Sequence, residues 1–167
     1  MFRPPLSNPA LKRTIRPIYA QHQATTYGGF LDPNWARTFD IYPGTVMCRL
    51  TKEIFTPYTG AANQKPFGLS ALFCAPQLGV DEVTATGTNL FTVWVGGNQA
   101  VFEILAPGFD AAANWAGTNV VNGGQALLKG NATGLLTVGA DNTNAVAELI
   151  DVPTTDKILV RLNRFTF

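Results

Sequence analysis

Leu135-Leu136-Thr137-Val138, then Gly139-Ala140-Asp141-Asn142, then Ala145-Val146-Ala147-Glu148-Leu149-Ile150, then Val152-Pro153-Thr154-Thr155-Asp156, then Ile158-Leu159-Val160-Arg161-Leu162. Apolar, β-prone runs alternate here with turn-forming clusters, and the pattern predicts a three-strand meander. Pro153 has no N–H to give a ladder, so it is assigned to a turn. Ile158, Val160 and Leu162 share one face and Leu159 and Arg161 the other, the period-2 mark of a half-buried strand. A meander of this kind presents an apolar face that earlier parts of the chain must cover.

Working back from it, Gln125 to Lys129 reads as a further strand. Asp110 to Ala116 is the one helix candidate: Asp110 is placed to cap, alanines favour the helix, and Gly117 ends it. Phe91-Thr92-Val93-Trp94-Val95 and Ala100 to Leu105 flank Gly96-Gly97-Asn98-Gln99, which predicts a hairpin. Phe67 to Ala75 is an apolar run ended by Pro76. Thr45 to Leu50 reads as a strand with Val46, Cys48 and Leu50 on one face. The expected fold is mainly β: a small β-barrel or sandwich over residues 44–167 with one short helix.

Residues 1–43 have a different character. Six of the eleven prolines fall there, with Arg3, Lys12, Arg13, Arg16 and Arg37 against Asp32 and Asp40, and with Phe2, Tyr19, Tyr27, Phe30, Trp35 and Phe39 interleaved. Proline at this density forbids a long helix and favours extended backbone. Disordered tails are usually poor in aromatics, so the stretch reads as an extended N-terminal arm that docks, either on its own domain or on a partner. Removal of residues 1–40 is expected to leave a folded domain.

The chain has 167 residues, enough for one domain with its own core. Charged residues make up 14%, against roughly 25% in ordinary soluble domains. Much of the surface is therefore neutral, which suits contact with protein. A net charge of +1 gives no global attraction to nucleic acid or membrane. No secretory apolar region and no membrane span is read, so synthesis in the cytoplasm is expected. Cys48 and Cys74 read as two buried thiols, with one disulfide as the alternative.

The residues that carry chemistry are sparse. His22 is the only histidine and has no Cys or acidic cluster beside it, so neither a metal site nor a triad is expected. Asp81-Glu82 sits in a polar turn and reads as solvated. None of Gly28-Gly29, Gly96-Gly97 and Gly123-Gly124 follows the strand-then-helix plan of a phosphate loop. Asn131-Ala132-Thr133 matches a glycosylation sequon that carries no weight without secretion. Trp35, Trp94 and Trp115 read as core or interface residues, or as a sugar-stacking platform. No catalytic residue, cofactor or metal is assigned.

Three features resemble the head decoration, or capsid cement, proteins of tailed bacteriophages, the class carried by lambda-like heads. The first is an arm ending at a strand that opens Gly44-Thr45-Val46. The second is a loop leading to Phe67-Gly68-Leu69-Ser70-Ala71-Leu72-Phe73. The third is the closing set Gly134-Leu135-Leu136, Ala145-Val146-Ala147-Glu148 and Val160-Arg161-Leu162. The resemblance covers residues 44–162. It implies a β-tulip-like domain with no enzymatic activity. It also implies binding to the outside of an expanded head, as homotrimers at threefold and quasi-threefold positions, with the major capsid protein as partner. The arm residues Phe2, Arg3, Arg13, Arg16, Tyr19, Tyr27, Phe30 and Trp35 are the expected capsid contacts. The alternative is a carbohydrate-binding or adhesin module that stacks sugars on Trp94 or Trp115.

Overall fold

The computed structural model describes residues 14–36, 38–72, 74, 90–96, 99–115, 126–140 and 143–162. The described chain is mainly β, with eleven strands and a single 3-10 turn at Gln21–Gln23. The strands are β1 (Ile15–Tyr19), β2 (Thr25–Leu31), β3 (Val46–Arg49), β4 (Ile54–Pro57), β5 (Pro66–Ser70) and β6 (Leu90–Gly96). They continue with β7 (Val101–Leu105), β8 (Ala126–Gly130), β9 (Leu136–Thr137), β10 (Ala147–Thr154) and β11 (Lys157–Arg161).

Five strands close a barrel in the order β2-β4-β3-β5-β6. All its ladders are antiparallel except β2 with β4, which run parallel through Phe30↔Ile54 and Leu31↔Phe55. Closure leaves the barrel no free edge. The alternation in β6 shows how the sequence fills it. Phe91, Val93 and Val95 join Leu31, Met47, Phe55 and Phe67 in one buried cluster. Trp94, between them, turns the other way and packs against the second core, tilted on Phe102 at 5.2 Å.

The other six strands form a sheet ordered β1-β7-β11-β10-β8-β9. Its inner face carries Ile15, Phe102, Ile104, Leu128, Ala147, Leu149, Ile158 and Val160, packed with Val46 and Leu69 of the barrel strands. The outer face carries charge. Arg16 stands opposite Glu103, Glu103 opposite Leu159, and Arg161 opposite Glu148. The period-2 reading of 158–162 holds, since Ile158, Val160 and Leu162 are buried and Leu159 and Arg161 are not. The strand read at Gln125–Lys129 is present as β8.

Five local expectations are corrected. Residues 110–115 are turns, not the first part of a helix. The Asp110 carboxylate accepts the Ala112 N–H, and the Trp115 indole donates to the Asp110 carbonyl, which a helix would have used for its own ladder. β6 and β7 do not form a hairpin: β6 pairs with β2 and β5, and β7 with β1 and β11. At Gly96 the backbone takes φ 123 and passes so near the Leu162 carbonyl that a Cβ would lie 2.6 Å from it. Only glycine fits a backbone in this conformation so close to another chain segment.

The meander is also rearranged. β10 and β11 pair as expected, but β9 folds back on β8 through Lys129↔Thr137, and β10 takes the other side of β8. The turn between β8 and β9 is closed by Asn131, whose carboxamide oxygen accepts from the Thr133 and Leu135 N–H groups. Pro153 lies within the span of β10, in a stretch where the register with β11 shifts between Asp151 and Thr154. Leu50 is not on a buried face: it is 53% exposed, at the turn after β3.

Within residues 14–43 the chain contributes to both halves of the fold. β1 pairs along β7, and β2 lies between β4 and β6. Deletion of residues 1–40 would therefore remove a wall of the barrel as well as an edge of the sheet. Cys48 and Cys74 are both buried and form no disulfide. Burial pushes the Cys48 thiol up to about 12.

Candidate functional site

The arm residues expected to make contacts are held in three different settings, and Phe2, Arg3 and Arg13 lie outside the described residues. Tyr27 is built into the barrel. Its ring meets Phe55 and Phe67 edge-on at 5.9 and 5.5 Å. Its hydroxyl accepts from Arg49 Nη2 and donates to the Lys52 carbonyl, each at 3.2 Å. The Arg49 guanidinium lies over the Tyr27 and Phe67 rings at 5.0 and 5.2 Å. Trp35 is half-buried against the barrel core, edge-on to Phe39 at 5.4 Å. Phe30 is half-buried, and its N–H donates to the Glu53 carbonyl at 2.6 Å. These three serve the domain's own packing.

Arg16 belongs to an ion cluster on the outer face of the sheet. Its Nε donates to Glu103 Oε1 at 2.8 Å, and Lys157 Nζ lies 3.1 Å from Glu103 Oε2. Glu103 is only 6% exposed although it faces outward, because the two long cationic side chains cover it. Burial alone would raise its carboxyl, but hydrogen bonds and charge from Lys157 and Arg16 outweigh that and hold it below the ordinary value. The neighbouring Arg161–Glu148 pair is looser, at 3.8 Å.

Among the described aromatic residues of the arm, Tyr19 is the one the fold leaves out in the open, 66% exposed at the end of β1. Past it the chain turns sharply. Ala20 takes φ 48 and ψ 43, the only non-glycine positive φ among the described residues. Gln21–Gln23 then form the 3-10 turn, and Gln23 Oε1 accepts the Gln99 N–H at 2.9 Å. A shallow concavity of about 680 Å³ is lined here by Tyr19, Gln21, His22, Gln23 and Gln99. Sequence reasoning found Tyr19 but not this corner, since nothing in the chain marks Gln99 as its neighbour.

Asp81-Glu82 and Gly123-Gly124 lie outside the described residues, and the other motifs are absorbed by structure. Trp115 is buried edge-on to Phe109 at 5.4 Å, with its indole bonded to the Asp110 carbonyl, and offers no stacking face. Trp94 packs on Phe102. The Asn131 carboxamide is occupied in its turn. Among the described residues no group of three or more His, Cys, Asp or Glu side chains could hold a metal ion. No helix there is long and apolar enough to cross a membrane. What the described residues offer is a closed barrel, an ion-laced sheet face and a shallow concavity with an exposed tyrosine.

In comparison with known proteins, a family model described as phage cement protein matches residues 1–167. No curated protein and no solved structure matches the chain.

Proposed function

The chain belongs to the phage cement protein family, and we propose that it binds the outside of an expanded phage head as trimers at threefold and quasi-threefold positions. There it holds neighbouring major capsid subunits together against the pressure of packaged DNA. Membership makes it a structural, capsid-associated protein. The observation that carries the reading is the extent of the match, which spans the strands and the arm alike.

The proposed shell contact runs from Phe2, Arg3 and Arg13 to Arg16 and Tyr19. Tyr27, Phe30 and Trp35 belong to the same proposed contact set, Tyr27 and Phe30 on barrel strand β2 and Trp35 packed against the barrel core. Two properties fit this role. The surface is weakly charged, so desolvating it costs little. The barrel has no free edge, so binding can be directed to the sheet and the arm instead of to any strand that happens to be exposed. Trimerisation would make individually weak sites multivalent.

The test is co-sedimentation of the protein with expanded, undecorated heads of its phage, followed by cryo-electron microscopy of the decorated heads. Density at threefold positions, with residues 1–19 traced onto capsid subunits, is the expected result. A variant lacking residues 1–13 keeps β1 and β2 and should fold yet bind weakly. Absence of head binding by the full chain would discard the reading.

A further inference from the structure

We infer that the outer side of the barrel, along the row Leu50, Ile54 and Phe30, is the seam through which neighbouring copies of this chain meet on the shell. The inference rests on the trimers of the cement reading and names the surface that joins their members. The row follows from strand register. Cys48 pairs with Thr56 and Arg49 with Phe55. The Leu50 N–H donates to the Ile54 carbonyl at 2.8 Å, so Leu50 stands opposite Ile54. On the other side of β4, Ile54 pairs with Phe30 and Phe55 with Leu31. Phe55 and Leu31 are fully buried in the barrel core. Side chains alternate along a strand, so the residue before each of them, Ile54 and Phe30, faces outward. Three neighbouring strands thus carry an apolar row about 10 Å long on the outside of the barrel. Leu50 is 53% exposed, and Ile54 and Phe30 are half-buried. Gly28, on the same face of β2 as Phe30, is exposed, and a Cβ there would meet nothing within 4 Å. The surface beside Phe30 is therefore flat and open.

Leu50 is held out on a braced turn. Arg49 donates from Nε to the Thr51 carbonyl and from Nη2 to the Lys52 carbonyl, each at 3.2 Å. The Tyr27 hydroxyl donates to the Lys52 carbonyl at 3.2 Å, and the Glu53 N–H to the Thr51 hydroxyl at 3.4 Å. A partner meeting so well tied a turn loses little entropy in ordering it. A lone exposed leucine would be ordinary. One at the head of an apolar row that crosses three strands is a contact surface.

Charge selects the occupant. Lys52 and Glu53 lie exposed and side by side in the turn. Among the described residues the ion pairs are Arg16–Glu103, Lys157–Glu103 and Arg161–Glu148, which leaves both Lys52 and Glu53 unused. A patch with one charge of each sign beside an apolar row is complementary to itself. In a closed ring, Lys52 of each copy meets Glu53 of the next, and every copy spends the same two residues. Size points the same way. Three side chains fall far short of the roughly 800 Å² per partner of a standard stable interface. The seam therefore suits copies that the shell already holds side by side. Phe30 is the member that the seam shares with the proposed shell contact.

The experiment mixes isotopically light and heavy full chain and treats it with a zero-length carbodiimide, on expanded, undecorated heads and at high concentration in solution. Mass spectrometry maps the crosslinks. On heads, bonds from Lys52 of a light chain to Glu53 of a heavy one are expected. Leu50→Asp should melt as the parent does and decorate heads about tenfold more weakly or worse. Lys52→Glu and Glu53→Lys should each weaken decoration, and the two together should restore it. That exchange carries the test should Leu50→Asp melt early. Crosslinks from Lys52 or Glu53 to the shell protein instead assign the row to the shell and overturn the inference, with the cement reading standing. Parental decoration by Leu50→Asp, or no rescue by the double exchange, does the same. Failure of the full chain to bind heads removes the cement reading. Mixed-label crosslinks in solution then keep the contact between copies, and their absence removes it too.

Discussion

Arg16 and Glu103, 87 residues apart in the chain, meet across β1 and β7 at 2.8 Å, and the carboxylate they share with Lys157 is buried on the sheet's outer face. The Arg16 side chain is itself 68% exposed, so solvent screens its half of the pair. Glu103→Gln should cost roughly 1–2 kcal/mol at neutral pH, and Arg16→Ala less than about 1 kcal/mol. The carboxyl is held below its ordinary value in the fold. Its contribution is therefore complete above the unfolded value and is lost as pH falls through the lower, folded one. Thermal melts from pH 7 downward should show the parent and Glu103→Gln converging below about pH 4. Parallel curves over that range would refute the assignment.

Cys48 predicts the opposite dependence. Its thiol is pushed up to about 12 by burial, so the unfolded chain gives up that proton first. Stability should be unaffected below about pH 8.5 and fall above it, at up to about 1.4 kcal/mol per pH unit. A thiol reagent at pH 8 should leave Cys48 unmodified in the native protein and react with it once denaturant is added. Rapid native labelling at Cys48 would contradict its burial.

Gly28 and Gly29 are neighbours in β2 with opposite tolerance. A Cβ on Gly28 meets nothing within 4 Å, whereas one on Gly29 would lie 2.5 Å from both the Glu53 carbonyl oxygen and the Phe55 ring. Gly28→Ala should be neutral or stabilise by about 0.5–1 kcal/mol. Gly29→Ala should destabilise by roughly 1–3 kcal/mol, since the barrel must move aside to accept it. Denaturant midpoints of the pair test the parallel closure of β2 on β4.

Trp115 tests the fate of the sugar-platform reading. It is buried against Phe109 and bonded to the Asp110 carbonyl at 2.7 Å. Trp115→Ala should lower stability by about 3–5 kcal/mol. Asp110→Ala should lower it by about 1–2 kcal/mol, by releasing the Ala112 N–H and the Thr137 hydroxyl. Equilibrium unfolding reads both. A Trp115→Ala protein of parental stability would show that the indole is not core.

What could be read from the sequence was whatever a local period encodes. Ile158, Val160 and Leu162 announce their face by alternation, and so do Phe91, Val93 and Val95. Partner choice was not encoded locally. β6 and β7 look like a hairpin because glycine separates two strands. Their true partners, β2 and β5 for β6 and β1 and β11 for β7, come from distant parts of the chain, and Gly96 instead passes close to Leu162, 66 positions further on. The helix expected at Asp110 failed for a similar reason. Capping residue and alanines were present, but an indole five residues away claimed the carbonyl. Tyr19 was recognisable as an aromatic in an arm, while Gln99 became its neighbour only through the pairing of β1 with β7.

The place of β1 has a mechanical consequence. Thr14 is fastened at the root of that strand by its hydroxyl on the Pro43 carbonyl at 2.6 Å and by its own carbonyl on the Leu105 N–H at 2.7 Å. Tension applied upstream of Thr14 thus enters the molecule at two bonds and passes along the β1–β7 ladder toward β11. The closed barrel lies off that line of force. Were residues upstream of Thr14 held by a shell, as proposed, a swelling shell would stretch the sheet's outermost seam first, while the barrel kept its shape as a stiff boss behind it.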